Sequence, residues 1–301
     1  MSRKQSSRTS KRPLRCSFTP FSNRYGSSPL TFSSLSDQLY QKSTHFLLEL
    51  IQNADDNHYE VADPTLHLTY AKNHLRIDCN EIGFSPKDID AICSVGQSSK
   101  AGAGVSTQYV GEKGIGFKSV FKAADVVWIS SREYEFKFDK KAKLGMIGPI
   151  LDEFPATKRT KWTSFYLQLA SDYNAQELIS DLQSLDARLL IFLRRLRTII
   201  VTIVGPNDQI ATKKLTRTEA SIEGKEAIYL THDATGMNYI VIRHRARNLP
   251  LEEKREGVSE SEVLLAFPVD SDNQPKLTPQ QVFAFLPIRN YGFKVSQGDN
   301  L

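Results

Sequence analysis

Residues 49–56 read ELIQNADD, and this stretch decides how the chain is interpreted. It belongs to a longer segment, 35–57, whose apolar residues recur at the spacing of an amphipathic helix. At about 100° per residue, Glu49, Asn53 and Asp56 fall within an arc of roughly 60° on that helix. One helix face therefore presents two carboxylates and an amide, which suits either contact with bulk water or the lining of a polar pocket.

A second polar segment, GEKGIGFKS, occupies residues 111–119 and precedes a predicted helix that runs to Ala124. Glycines let backbone N–H groups approach phosphate oxygens, and the N-terminus of a helix carries a partial positive charge. The glycine order differs from the dinucleotide-binding fingerprint. Phe117, between Gly116 and Lys118, also separates the segment from the P-loop consensus. The segment is consistent with an anion site and, equally, with a simple turn.

Together the two segments contain the parts needed for magnesium-assisted nucleotide hydrolysis. Mg²⁺ prefers oxygen ligands, so the carboxamide oxygen of Asn53 is a suitable ligand beside phosphate oxygens and water. Glu49, one helical turn earlier, is placed to orient or deprotonate an attacking water. The sequence therefore predicts that a triphosphate and its metal ion lie between the helix and the glycine-rich segment.

Four motifs, in this order, resemble those of the GHKL superfamily of gyrase, heat-shock chaperone, histidine kinase and mismatch-repair ATPases. The first is 49–56; the others are NEIGFS at 80–85, SVGQSSK at 94–100 and GEKGIGFKSVF at 111–121. Their wording is most similar to the branch that contains sacsin and the NO VEIN-like proteins, and FAFLPIRNYGF at 283–293 resembles that branch as well.

The resemblance implies an α+β Bergerat fold, a two-layer sandwich with helices on one face of a mixed, mainly antiparallel sheet. It implies an ATP-binding domain at residues 26–170 and a second, smaller α/β domain, similar to a transducer domain, at 171–301. Residues 1–25 are basic and rich in serine, and we expect them to form a disordered tail.

Residue patterns predict the individual elements. Alternation of apolar and polar residues indicates strands, and Ser85 followed by Pro86 is typical of a helix start. Beyond the first helix, the predicted helices are 86–94 with Ser85 as its cap, 117–124 and 175–196. The predicted strands are 66–70, 75–79, 126–130, 134–138, 164–169, 198–204, 227–231, 239–243, 263–268 and 282–286.

The resemblance also implies roles for single residues. Glu49 is expected to be the general base, Asn53 the magnesium ligand, and Asp56 part of the polar shell near the nucleotide. Residues 97–110 are expected to form a lid, and Thr163 to lie near adenine. The further expected nucleotide contacts are Gly83, Lys100, Gly111, Lys113, Gly114, Gly116 and Phe117.

One position departs from the family pattern. The second motif usually reads Asp-x-Gly-x-Gly, and when Ile82 and Gly83 are aligned with it, Cys79 occupies the place of the aspartate that accepts the adenine amino group. A thiol is a poor acceptor. Asp78 and Asn80 would face the opposite side of a strand. Four alternatives therefore stay open: the strand bulges so that Asp78 or Asn80 reads the base, water mediates the contact, base selectivity is relaxed, or nucleotide affinity has been lost.

The function predicted from these features is magnesium-dependent ATP binding with slow hydrolysis, in which lid closure produces a chaperone-like or regulatory change. The alternative is a non-catalytic nucleotide sensor or a protein-interaction scaffold with the same fold. ATP and an unknown protein client are the expected partners. The client, the oligomeric state and the existence of a longer parent protein are left open.

Composition restricts the other function classes. The chain has 301 residues, 40% hydrophobic and 24% charged, which is typical of a globular protein with two modest domains. It contains no apolar run of about 18 residues, so no membrane span is expected. Three cysteines without a CxxC pair favour a reducing compartment, here the cytoplasm or nucleus.

The net charge of +5 arises in the N-terminal tail. Residues 1–25 contain seven basic residues and no acidic one, which leaves 32 basic against 34 acidic residues, or −2, in the rest of the chain. Because the basic character is confined to the tail, nucleic-acid binding is not predicted from the charge.

Overall fold

The structure is a computed structural model that describes residues 45–93, 117–247, 260–276, 280–284 and 286–293. Its helices are α1 (His45–Asp56), α2 (Pro86–Cys93), α3 (Ala175–Ser184) and α4 (Leu189–Phe192), with 3-10 helices at Phe117–Lys122 and Pro206–Asp208. Its strands are β1 (Thr65–Ala71), β2 (His74–Cys79), β3 (Ala124–Ser131), β4 (Tyr134–Asp139), β5 (Thr163–Leu169), β6 (Thr198–Val204), β7 (Ile210–Ile222), β8 (Lys225–His232), β9 (Thr235–Arg247), β10 (Glu260–Val269), β11 (Gln280–Ala284) and β12 (Leu286–Phe293).

The fold is α+β, as predicted. Ten strands form one mixed, mostly antiparallel sheet in the order β10-β9-β8-β7-β6-β1-β2-β5-β3-β4, and β11 and β12 form a separate antiparallel pair. β1 and β6 run parallel, whereas β3 pairs antiparallel with β4 and β5, and β6 to β10 pair antiparallel in succession. Among the described residues, no helix is long and apolar enough to cross a membrane.

The chain divides into two compact units. Of the described residues, the first unit contains 45–53, 73–78, 82–93 and 117–173, and the second contains the remainder. The second unit thus takes two short early segments as well as the chain after residue 173. The predicted limits, 26–170 and 171–301, divide the chain at a single point and stay a prediction.

Strand alternation and aromatic packing form the core of the first unit. Phe136 and Phe138 are buried on the same side of β4. Phe138 packs against Phe117 and Phe121, with ring centroids 6.1 and 6.4 Å apart, and Phe117 lies 5.7 Å from Phe165. Aromatic pairs at these separations add to the hydrophobic gain from burial. This cluster fixes the chain at the C-terminal end of the glycine-rich segment, where Phe117 lies.

Helix α2 starts as its sequence predicts. Pro86 is the first helical residue, where a missing N–H costs no helical hydrogen bond. Asp88 Oδ2 accepts hydrogen bonds from the Ser85 backbone N–H and hydroxyl, at 2.9 and 2.7 Å. The Asp88 backbone N–H donates in return to the Ser85 hydroxyl oxygen, at 3.4 Å. These bonds form a reciprocal cap that fixes the path of the chain from β2 into the helix.

Two helix predictions need correction. The predicted α-helix 117–124 is a six-residue 3-10 helix, because β3 already begins at Ala124. The predicted helix 175–196 is two helices, since α3 ends at Ser184 and the Asp186 carboxylate accepts a hydrogen bond from the Arg188 N–H at 2.8 Å. An aspartate that bonds to nearby backbone N–H groups competes with helical hydrogen bonding, and here it starts a new turn.

The strand predictions hold for most of the sheet. Nine of the predicted strands lie within observed strands, and the tenth, 282–286, spans the end of β11 and the start of β12. Strand β7 was not predicted. Its 13 residues bury only Leu215 and Arg217, so the pattern of apolar residues that identifies a strand is almost absent.

Candidate functional site

Helix α1 places the two central site residues together. Phe46, Leu50 and Ile51 are buried at 5% exposure or less, whereas Glu49 and Asn53 are only partly buried. The helical spacing therefore gives α1 an apolar side within the core and a polar side that Glu49 and Asn53 share. The third member of the predicted polar face, Asp56, is buried, at 3% exposure.

The end of α1 has a contact that the sequence did not indicate. The carboxylate of Asp55 is buried and accepts hydrogen bonds from the backbone N–H groups of Arg194, Arg195 and Leu196, at 2.8, 2.8 and 2.9 Å. These donors lie 139 to 141 positions further along the chain, so no local pattern identifies them. The Arg195 guanidinium also donates to the backbone carbonyl of Asp56, at 2.8 Å.

Cys79, at the position where the family pattern has aspartate, is buried and hydrogen-bonded to Tyr59. The Tyr59 hydroxyl donates its single hydrogen to the Ala54 carbonyl, at 2.6 Å, and lies 3.0 Å from the Cys79 sulfur. The thiol must therefore donate to the Tyr59 oxygen. Burial raises the pKa of Tyr59 above its ordinary value, so the hydroxyl keeps its hydrogen at neutral pH.

Asp78 lies on the other face of strand β2, in a cluster of charged and polar groups. Its carboxylate is fully buried and accepts hydrogen bonds from Arg76 Nε, at 2.9 and 3.0 Å, and from the Ser164 hydroxyl, at 2.6 Å. Arg159 forms a further ion pair with it, at 3.4 Å. Two cations and a hydroxyl thus surround this carboxylate, and reading a base with Asp78 would require some of these contacts to break.

Asn80 has a structural role at the start of β1. Its side-chain oxygen accepts a hydrogen bond from the Thr65 N–H, at 2.7 Å, and its side-chain nitrogen donates to the Asp63 carbonyl, at 2.9 Å. Both ends of the amide are therefore used by backbone groups. None of these contacts of Asp78 and Asn80 corresponds to a bulge that would bring either side chain to a nucleotide base.

Gly83 occupies a position that only glycine fits. Its φ is +87°, and a Cβ atom there would lie 2.5 Å from Cγ of Arg132. Arg132 Nε donates to the Ile82 carbonyl, at 2.6 Å, which holds the arginine against this turn. The glycine thus allows the close approach of a side chain from the β3–β4 turn.

Thr163 is buried next to this turn. Its hydroxyl lies 2.7 Å from the Ser131 hydroxyl, whose oxygen also accepts the Phe84 N–H, at 2.8 Å. A short hydrogen-bonded chain therefore connects the start of β5 to the backbone that follows Gly83. The predicted contact of Thr163 with adenine stays a prediction.

Lys118, near the end of the glycine-rich segment 111–119, is a buried cation. Its ammonium group donates to the carbonyl of Ile92, at 2.6 Å, and to that of Met146, and it lies 4.3 Å from the Phe138 ring centroid. The Ile92 carbonyl belongs to the last turn of α2, where a cation is favoured. Burial nevertheless lowers the pKa of Lys118 to about 8.

Several predicted contacts lie outside the described residues: the lid at 97–110, and Lys100, Gly111, Lys113, Gly114 and Gly116. Phe117 is described, and its ring belongs to the aromatic cluster of the first unit. In the part of the chain that the structure describes, no group of three or more His, Cys, Asp or Glu side chains could hold a metal ion. A magnesium ion that enters with a nucleotide needs only one or two protein oxygens, and the amide of Asn53 meets this requirement.

The chain is similar to two characterised proteins. It is 33% identical over 291 residues to the Protein NO VEIN of Arabidopsis thaliana, covering 88% of this chain and 10% of that protein. It is 28% identical over 173 residues to the Chaperone protein HtpG of Aliarcobacter butzleri, covering 48% of this chain and 27% of HtpG. The chain thus spans a tenth of the length of NO VEIN, and no family model matches it. The two similarities agree with a GHKL-like relationship.

The buried ammonium of Lys118 generates a pH-dependent prediction. Its pKa is lower in the folded protein than the ordinary 10.5, so between pH 8 and 10.5 the unfolded chain binds more protons than the folded one. The free energy of unfolding contributed by Lys118 should therefore rise across this window, by at most about 3 kcal/mol. Denaturant titrations of wild-type protein and Lys118→Met at pH 7, 8, 9 and 10 measure the difference. A difference that stays constant or falls with pH would contradict the assignment.

Proposed function

We propose that this chain is a GHKL-type nucleotide-binding module that binds ATP with magnesium and hydrolyses it slowly. The observation that carries the proposal is the side of α1 shared by Glu49 and Asn53, which stays partly exposed while Phe46, Leu50 and Ile51 are buried. The order of the four motifs and the similarity to a chaperone protein support it.

The chemistry of the two side chains fits separate roles. In the proposal, the uncharged amide of Asn53 contributes one oxygen to the magnesium shell, and phosphate oxygens and water supply the others. The Glu49 carboxylate, one turn away, orients a water molecule and accepts its proton as the oxygen attacks the terminal phosphate.

The glycine-rich segment is the proposed phosphate cradle. Phe117 and Lys118 are anchored in the first unit, so the segment before them has a fixed C-terminal end. Backbone N–H groups of Gly111, Gly114 and Gly116 then bind phosphate oxygens, and Lys100 and Lys113 supply positive charge. Closure of residues 97–110 over the terminal phosphate is the proposed step that links nucleotide state to a chaperone-like or regulatory change.

The contacts of Cys79 favour relaxed base selectivity among the four alternatives. Its thiol hydrogen is donated to Tyr59, and thiol sulfur is a weak acceptor. Asp78 is hydrogen-bonded to Arg76 on its own strand and to Ser164 on β5, and Asn80 is hydrogen-bonded to Thr65 on β1. In the proposal, therefore, no carboxylate reads the adenine amino group, and affinity comes mainly from the triphosphate and its metal ion.

The same contacts favour a second candidate, a nucleotide sensor or interaction scaffold that binds without turnover. Loss of the carboxylate that contacts the nucleotide base lowers the affinity for the nucleotide more than it affects the fold. A module of this kind is therefore able to keep its architecture without catalysis. An unknown protein client and a cytoplasmic or nuclear location are parts of either proposal.

Substitutions of the two α1 residues separate binding from hydrolysis. Asn53→Ala should abolish the magnesium-dependent binding of ATP, because it removes the proposed metal ligand. Glu49→Ala should bind ATP but lose turnover by about 100-fold or more, the usual contribution of a general base. Isothermal titration and a phosphate-release assay measure the two effects.

Glu60→Ala is the matched control, since Glu60 is an exposed carboxylate shortly after the same helix. It should change neither quantity. Unaltered hydrolysis in Glu49→Ala would refute the general-base role, and ATP binding without hydrolysis by the wild-type protein would favour the sensor.

Base selectivity provides a separate test. A site that hydrogen-bonds a substrate group through a dedicated side chain rejects analogues that lack the group by about 10⁴-fold. Because no such side chain is proposed here, ATP and GTP should bind with dissociation constants within about tenfold of each other. Competition titrations with magnesium in excess measure the ratio, and discrimination of about a thousandfold or more would show that the base is read directly.

A further inference from the structure

The carboxylate of Asp55 makes an unusual number of backbone contacts. It is 5% exposed, and both of its oxygens accept N–H groups: Oδ2 from Arg194, and Oδ1 from Arg195 and Leu196. Hydrogen bonds to an ionised acceptor are shorter and roughly twice as strong as those between neutral groups, and the three distances of 2.8 to 2.9 Å fit this class. The contact therefore fixes the backbone of 194–196 against the last turn of α1.

The other side of the same backbone segment is held by a cation. Arg197 Nη1 donates to the carbonyls of Arg194, Arg195 and Leu196, at 3.1, 3.1 and 3.2 Å. The peptide groups of 194–196 thus lie between a carboxylate on their N–H side and a guanidinium on their carbonyl side. We call this arrangement of Asp55, residues 194–196 and Arg197 the Asp55 clamp.

The clamp continues into strand β7. Arg197 Nη2 lies 3.1 Å from Glu219, which also forms an ion pair with the buried Arg217, at 2.8 Å. Arg217 donates in turn to the carbonyls of Leu190 and Leu193, at the end of α4. One connected set of charged groups therefore runs from the end of α1 to β7 and α4, all within the second unit.

A second contact orients the helix end itself. The Arg195 guanidinium donates to the carbonyl of Asp56, at the C-terminal end of α1, where the helix dipole favours a cation. The last turn is thus held through the side chain of Asp55 and through the main chain of Asp56. Asn53 lies in the turn directly before these anchors, on the same continuous helix.

We propose that Asp55 is a positioning residue, which sets the direction in which the Asn53 amide points by fixing the end of α1 to residues 194–196. The inference rests on the proposed function, in which the Asn53 oxygen is the protein's magnesium ligand. Asp55 does not touch the nucleotide. Its effect is confined to the magnesium-dependent part of ATP affinity.

Asp55→Asn tests this role. An amide cannot accept on both atoms, so in either orientation its NH₂ group faces an N–H of the clamp and the helix end loses its alignment. ATP affinity measured with magnesium should fall about 10- to 100-fold, the usual effect of removing a group that orients a metal ligand. ATP affinity measured in EDTA should change by less than about threefold. Isothermal titration of the whole chain under both conditions gives the two ratios.

Asp186→Asn is the matched control. Asp186 also accepts a backbone N–H, from Arg188 at 2.8 Å, and pairs with the Arg188 guanidinium, but it lies just before α4, more than a hundred residues along the chain from α1. The control should lower the free energy of unfolding and leave both ATP affinities unchanged. This comparison separates positioning from a general loss of stability.

Each outcome decides a different point. In Asp55→Asn, an equal loss of ATP affinity with and without magnesium, or no loss in either condition, would overturn the positioning role. ATP binding by wild-type protein in the same titrations would still support the proposed function. Wild-type protein that binds no ATP would overturn both. Should Asp55→Asn not fold, Arg195→Met removes the bond to the Asp56 carbonyl. This variant should weaken magnesium-dependent binding about two- to tenfold, on the scale of one net hydrogen bond. An unchanged affinity there would overturn the role as well.

Discussion

Helix α1 meets two opposed requirements, and the candidate site depends on both. Its apolar side chains must be buried, because each of Phe46, Leu50 and Ile51 stabilises the fold by about 2 kcal/mol when removed from water. Glu49 and Asn53 must stay accessible from the opposite direction. Any rotation of the helix that exposed the polar pair further would also expose the apolar side chains. The core therefore fixes the direction of the polar pair before a ligand is present.

Rotation about the helix axis is only one degree of freedom, and the end of the helix needs a second restraint. Apolar packing is non-directional and tolerates small shifts of a helix along the core. Hydrogen bonds from three successive N–H groups to Asp55 do not, because their geometry restricts distance and angle together. Apolar burial thus orients the part of α1 that ends at Asn53, and the directional bonds at Asp55 fix its last turn to residues 194–196.

The sequence predicted those features that depend on neighbours along the chain. The α+β class, the helical period of α1, the Ser85 cap of α2 and most strands follow from local spacing, and each is present. The missed features depend on distant partners. Strand β7 is identified by pairing with β6 and β8 and not by its own residues, and the partners of Asp55 lie about 140 residues away. The same limit applies to Cys79, whose bond with Tyr59 depends on the fold around α1 and β2.

Strand geometry explains why nucleotide recognition in this chain would rest on phosphate and metal contacts. Successive side chains of β2 point to opposite faces, so Asp78 and Cys79 cannot both face the same ligand. The Asp78 carboxylate is hydrogen-bonded to Arg76 and Ser164, and the Cys79 thiol is hydrogen-bonded to Tyr59. Exchanging these roles would require a one-residue shift of the strand, which would also move Leu75 and Ile77 out of the core. Burial of these two apolar residues thus keeps the carboxylate of β2 on the face opposite Cys79, which supports the proposal that ATP affinity comes mainly from the triphosphate and its metal ion.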